Sequence, residues 1–112
     1  MHEYSIAYDI YATARRTALD HNATVVRRIT VSFGEMAMIN PEQVCFLFGA
    51  IAEDDPLLSG AELVYEKVPP RTHCSCGYEG SEIYVCPECG TLPTIVSGKE
   101  IVVKNIEIDN GE

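Results

Sequence analysis

The sequence predicts an α+β protein that carries a metal-stapled excursion. Three observations predict it. Two stretches place apolar residues at helical spacing. Three others read as strands. Four of the five cysteines crowd into a segment with only scattered apolar residues. The 112 residues suit one domain, or one small domain with a metal-held appendage, and 46% apolar residues are enough for a core.

Residues 4–20 form the first helix. Ile6, Ile10, Ala14 and Ala18 recur every four residues, and Ala7 and Tyr11 widen the stripe. Residues 20–22 are a turn-like stop. Residues 26–33 then alternate, with Ile29, Val31 and Phe33 to one side and Arg28, Thr30 and Ser32 to the other, as in a half-buried strand. Gly34 punctuates it, and residues 35–39 read as an irregular extension.

The second helix starts sharply. Asn40 can cap, Pro41 suits the first helical position, and Gln43 sits where a capping box needs it. Val44, Leu47, Phe48 and Ile51 make its core stripe. Glu53, Asp54 and Asp55 follow before Pro56. Acids oppose the dipole at a helix C-terminus, so they read as a solvated end or a surface for a basic partner. Gly60 turns the chain into a second strand over residues 62–68. Residues 100–108, rich in Ile and Val, are the third.

Pro69-Pro70 marks a boundary. Residues 71–98 hold four of the five Cys and four of the eight Gly. Such a segment buries too little apolar surface to fold alone, and a bound metal supplies the missing energy. The chain therefore divides into residues 1–69 with 99–112, and an inserted module, residues 70–98.

Within the module, Cys86-Pro87-Glu88-Cys89-Gly90 is a tight turn that aims two thiolates at one point. Two such turns build a four-thiolate site of the kind structural zinc takes. The first half, Cys74-Ser75-Cys76-Gly77, is one residue short. Either Cys74, Cys76, Cys86 and Cys89 bind zinc, or His73, three before Cys76, replaces Cys74. A redox Cys-x-x-Cys would open a helix after a strand, and this one runs into Gly90 and Pro93. A closed set of four ligands is structural, so it explains folding and leaves function to other residues. Cys45, on the apolar helix, reads as a packing cysteine, and His21 as an exposed turn residue.

The amino terminus offers a second metal site. His2 is large, so Met1 is expected to stay in place. The Met1 amine, the His2 amide nitrogen and the His2 imidazole can close fused chelate rings on one ion. Planar nitrogen donors suit nickel(II) or copper(II).

Charge narrows the partners. The net charge of −9 argues against nucleic acid and against an anionic membrane surface. The longest apolar run, residues 44–52, is too short to span a bilayer, and the start lacks the features of a signal peptide. A cytoplasmic protein with reduced thiols is expected.

Together these residues resemble the HypA family of nickel metallochaperones, which mature [NiFe]-hydrogenase and in some bacteria serve urease. The resemblance starts at Met1-His2-Glu3 and Ser5-Ile6-Ala7. It runs through Ile29-Thr30-Val31, Gly34-Glu35, Pro41, Gly60-Ala61-Glu62-Leu63 and Val68-Pro69. It closes with Cys86-Pro87-Glu88-Cys89-Gly90, Ser97-Gly98-Lys99-Glu100 and Ile106-Glu107. It implies two helices packed on a three-stranded sheet, with a zinc-ribbon-like module inserted before the last strand. It implies Ni(II) as cargo on His2, assisted by nitrogens of Met1 and His2, with Glu3 orienting the site or contacting a partner. It further implies transfer with a HypB-type GTPase toward the hydrogenase large subunit. The short Cys74-Ser75-Cys76 spacing departs from the family pattern, and His73 is the one histidine in the module.

Three functions compete. A nickel carrier does no bond-making chemistry, and the sequence holds no nucleophile paired with a base. A flexible terminal chelate suits ligand exchange, and its affinity is expected to fall below about pH 6.5 as imidazole protonates. The alternative is a zinc-ribbon interaction module without nickel transfer. The third is a rubredoxin-like electron carrier, which colour would reveal. The sequence leaves the choice between a monomer and a weak homodimer open.

Overall fold

In the computed structural model, residues 2–110 are described, the side chain of His2 excepted. The order is helix α1 (His2–Asp20), strand β1 (Val25–Gly34), a 3-10 turn (Glu35–Ala37), helix α2 (Pro41–Ala52), and strands β2 (Glu62–Val68), β3 (Arg71–His73), β4 (Glu79–Gly80), β5 (Thr94–Ser97) and β6 (Ile101–Asp109). The strands form two separate sheets, ordered β2-β1-β6 and β4-β3-β5.

The larger sheet explains how sequence-distant segments meet. β1 pairs with β2 in parallel, Ile29 opposite Leu63 and Val31 opposite Tyr65. Parallel neighbours need a crossover, and α2 supplies it. β6 returns from the cysteine-rich segment to pair antiparallel with β1, Ile29 opposite Ile106. Ala7, Ile10, Ala14 and Ala18 of α1, Val44, Phe48 and Ala52 of α2, and Val26, Ile29, Val31 and Phe33 of β1 are buried in one cluster with Leu58. The alanines fit α1 close against its neighbours. The uncovered face of the sheet is bound by charge. Arg28 reaches Glu62 on β2 and Glu107 on β6, at 3.0 and 3.4 Å, and Lys104 reaches Glu66 at 2.7 Å.

Two readings from sequence are corrected here. Residues 35–39 do not extend the strand. Glu35–Ala37 is a 3-10 turn, held by the Met36 N–H donating to the Gly98 carbonyl at 2.8 Å. Nor does Asp55 belong to a solvated end. Tyr11 Oη donates to its Oδ2 at 2.6 Å, Arg15 Nε donates at 3.2 Å, and the Leu57 N–H donates to its Oδ1 at 3.0 Å. Asp55 ties α1 to the chain after α2. The predicted cap is in place, since Asn40 Oδ1 accepts from the amides of Glu42 and Gln43. No helix among the described residues is long and apolar enough to cross a membrane.

Candidate metal centre

The smaller sheet is a frame for two cysteine turns. β3 ends at His73 and delivers Cys74. β4 returns against β3, with Thr72 opposite Gly80 and His73 opposite Glu79. β5 closes the other side, with His73 opposite Thr94. The second turn hangs between β4 and β5.

The two turns share one hydrogen-bond scheme. In the second, Cys86 N–H donates to the Thr91 carbonyl and the Cys86 carbonyl accepts from Gly90 N–H, both at 2.8 Å. In the first, Cys74 N–H donates to the Tyr78 carbonyl at 2.8 Å, and the Cys74 carbonyl accepts from Gly77 N–H at 2.9 Å. Each turn ends on a glycine in the left-handed region, with φ of 99° at Gly77 and 77° at Gly90. Each offset in the first turn is one residue shorter. The missing residue is thus absorbed inside the turn, and Cys74 takes the place that Cys86 holds in the other.

The result is a single cluster. The sulfurs of Cys74, Cys76, Cys86 and Cys89 all lie within 4.8 Å of one another. Cys74 and Cys89 are 3.3 Å apart and Cys76 and Cys86 3.7 Å, so each close pair joins the two turns. A tetrahedron with metal–sulfur bonds of about 2.3 Å has sulfurs about 3.8 Å apart, so the spacing fits zinc. The cluster contains no histidine. His73 is exposed, with Nδ1 3.7 Å from a Glu79 carboxylate oxygen. The structure brings the four thiols together and leaves His73 out.

Electrostatics point the same way. The Cys76 amide, the Thr91 hydroxyl and the Cys89 thiol hold Cys74 down to about 6. The Tyr78 amide draws Cys76 down too. The Cys74 thiol, partial desolvation and the thiols of Cys89 and Cys86 outweigh it and push Cys76 up to about 12. Crowded thiols resist becoming four anions, and a divalent cation in their midst makes all four thiolates stable. Zinc bound there would tie β3, β4 and β5 together; a closed set of four offers no place for substrate.

Residues 1–108 match the family described as hydrogenase/urease nickel incorporation metallochaperone, HypA. The chain belongs to the HypA family. It is 43% identical to the hydrogenase maturation factor HypA of Methanocella arvoryzae, over 97% of this chain and 99% of the relative. The HypA of Chlorobium limicola is 36% identical over the full length of both chains. The solution structure of the Ni metallochaperone HypA from Helicobacter pylori superposes with a TM-score of 0.68 at 22% identity, covering 96% of this chain and 97% of that one. A second HypA solution structure reaches a TM-score of 0.76, also at 22% identity, over 98% of both. At that identity the likeness is one of fold.

The chain is therefore a HypA-type nickel metallochaperone with a zinc-compatible cysteine cluster. Of the expected nickel donors, Met1 and the His2 side chain lie outside the described residues. Glu3, in the first turn of α1, accepts from the Asn40 N–H at 3.4 Å. Cys45 is half-buried, 3.9 Å from the Leu63 carbonyl, and burial raises its thiol pKa, as suits a packing cysteine. Sequence reasoning missed Thr91, whose hydroxyl lies on the sulfurs, and the Glu3–Asn40 contact. Thr91 was detectable only as a hydroxyl residue just after the Cys-x-x-Cys-Gly turn.

Proposed function

We propose that this chain carries Ni(II) on the Met1 amine and the His2 amide and imidazole nitrogens, with Glu3 orienting the site or contacting a partner, and passes it on during [NiFe]-hydrogenase maturation. The observation that supports this is a separation of roles. The four thiols make a closed set at one end of the inserted module, so a cargo metal needs other donors, and the amino-terminal residues offer them. Residues 1–69 with 99–112 act as the nickel-binding unit. Residues 70–98 act as the unit folded by zinc on Cys74, Cys76, Cys86 and Cys89.

The protein catalyses no covalent step. It works in the cytoplasm, with a HypB-type GTPase releasing the nickel and the hydrogenase large subunit receiving it. A planar set of nitrogens leaves a coordination position for the acceptor's ligand, which allows direct exchange.

Protein made with its native amino terminus tests the reading. Metal analysis is expected to find one tightly held zinc. Calorimetry is expected to find one nickel site, lost in His2→Ala. Zinc content without nickel binding in either protein would overturn the carrier reading and leave a zinc-stapled interaction module.

A further inference from the structure

We propose that Thr91 is a positioning residue for the cysteine cluster: its hydroxyl donates a hydrogen bond to the Cys89 thiolate and lowers the reactivity of that corner of the site. Thr91 Oγ1 lies 2.9 Å from Cys89 Sγ and 3.4 Å from Cys74 Sγ. Those two sulfurs come from different turns and are 3.3 Å apart. The hydroxyl therefore sits where the two turns meet. Its backbone is pinned, because the Thr91 carbonyl closes the second turn by accepting the Cys86 N–H.

Metal loading fixes the direction of the bond. A free thiol could donate to the hydroxyl. A metal-bound thiolate has no proton, so the hydroxyl must donate. Four thiolates on a divalent ion carry about two net negative charges. Glu79, Glu82 and Glu88 share the module, against Arg71 alone among its Lys and Arg residues. Among the described residues, the hydrogen bonds that reach the sulfurs from outside the cysteines come from neutral groups. The Glu88 amide lies 3.4 Å from Cys86 Sγ, and among the described residues Thr91 supplies the one side-chain hydroxyl on the cluster. A hydrogen bond to a charged sulfur withdraws electron density, which lowers the energy of its lone pairs and its nucleophilicity.

The inference rests on reading the four thiols as metal ligands, and cobalt stoichiometry tests that reading separately. Wild type, Thr91→Val and Thr91→Ser are each loaded with cobalt(II). One cobalt per chain, with intense sulfur-to-cobalt absorption, verifies the ligand set in every variant. Thr91→Val keeps the side-chain shape and loses the donor. Its sulfur-to-cobalt band is expected at lower energy than in wild type. Alkylation of the zinc-loaded protein by iodoacetamide is expected to be about fivefold faster at Cys89, the scale of one modest hydrogen bond. Thr91→Ser is expected to restore both. An unshifted band and rate in Thr91→Val, or a serine variant as altered as the valine one, would overturn the proposal. Should the valine variant fail to load metal, wild type still decides. Cys76 and Cys89 are both exposed, and mass mapping is expected to show Cys76 alkylated first. Cys89 reacting first would overturn it.

Discussion

Glu3 and Asn40 lie 37 residues apart in the chain, yet the Glu3 carboxylate accepts the Asn40 backbone N–H at 3.4 Å. Asn40 in turn caps α2, its Oδ1 accepting from Glu42 N–H at 3.1 Å and Gln43 N–H at 3.2 Å. In a local capping box the reciprocal acceptor for the cap's own amide would be Gln43. Here a carboxylate from the first turn of α1 takes that part. Its charge also faces the positive end of the α2 dipole. The beginning of α1 is thereby seated on the beginning of α2, next to the residues proposed to hold nickel.

The contact makes two substitutions distinguishable by urea denaturation of the zinc-loaded protein. Asn40→Ala removes the cap and is expected to cost about 1 kcal/mol with an unchanged slope. Glu3→Gln keeps an acceptor oxygen and removes the charge. It is expected to cost roughly 0.3–1 kcal/mol at low ionic strength, and the cost should shrink in high salt. Equal losses at both salt levels would show that charge plays no part in the contact.

Asp55 gives a pH-dependent expectation. The Tyr11 hydroxyl, the Leu57 amide and Arg15 hold its carboxyl below the usual 3.8, against a partial loss of hydration. The same hydrogen bond raises the Tyr11 phenol above 10.0. A depressed carboxyl stabilises the fold fully above its unfolded pKa, and this is lost as pH falls through the folded value. A raised phenol stabilises fully below its unfolded pKa, and this is lost as pH rises through the folded one. Tyr11→Phe is therefore expected to cost about 1 kcal/mol near neutral pH. The penalty should narrow below about pH 4 and again above about pH 10, where one partner changes charge. Denaturation curves of wild type and Tyr11→Phe across pH check this. A penalty flat with pH would show that the pair is uncoupled.

How much of this was legible in the sequence depends on the reach of each cause. Helices, the three strands of the larger sheet and the α2 cap are set by neighbours within a few residues, so local patterns and Asn40-Pro41 revealed them; β3, β4 and β5 are too short to carry a pattern and went unread. The 3-10 turn after β1 is held by Gly98, more than sixty residues away, and no local pattern announces it. Asp55 looked solvated because its partners, Tyr11 and Arg15, belong to another helix. The cysteine cluster was legible as a group able to hold a metal. The choice between His73 and Cys74 was not, because it turns on how a shortened loop closes its backbone hydrogen bonds.

The crossing of Gly34, Gly98 and Pro70 supplies the last expectation, because three glycines separate two kinds of cost. A Cβ on Gly98 would lie 2.6 Å from Pro70 Cα, and the residue sits at φ of 100°. A Cβ on Gly34 would lie 2.2 Å from the Gly98 carbonyl oxygen, but φ there is an ordinary −65°. Gly77 has φ of 99° and open space where its Cβ would go. Gly77→Ala therefore meets backbone strain alone and is expected to cost about 1 kcal/mol. Gly34→Ala meets overlap alone. It presses backbone on backbone, where no flexible side chain can yield, and is expected to cost roughly 2–3 kcal/mol. Gly98→Ala meets both and is expected to be the most damaging, at roughly 3–4 kcal/mol. Melting each variant with zinc saturated gives the order directly. A Gly98→Ala protein no less stable than Gly77→Ala would mean that the strands entering and leaving the cysteine module do not cross this closely, and that the module sits more loosely on the sheet.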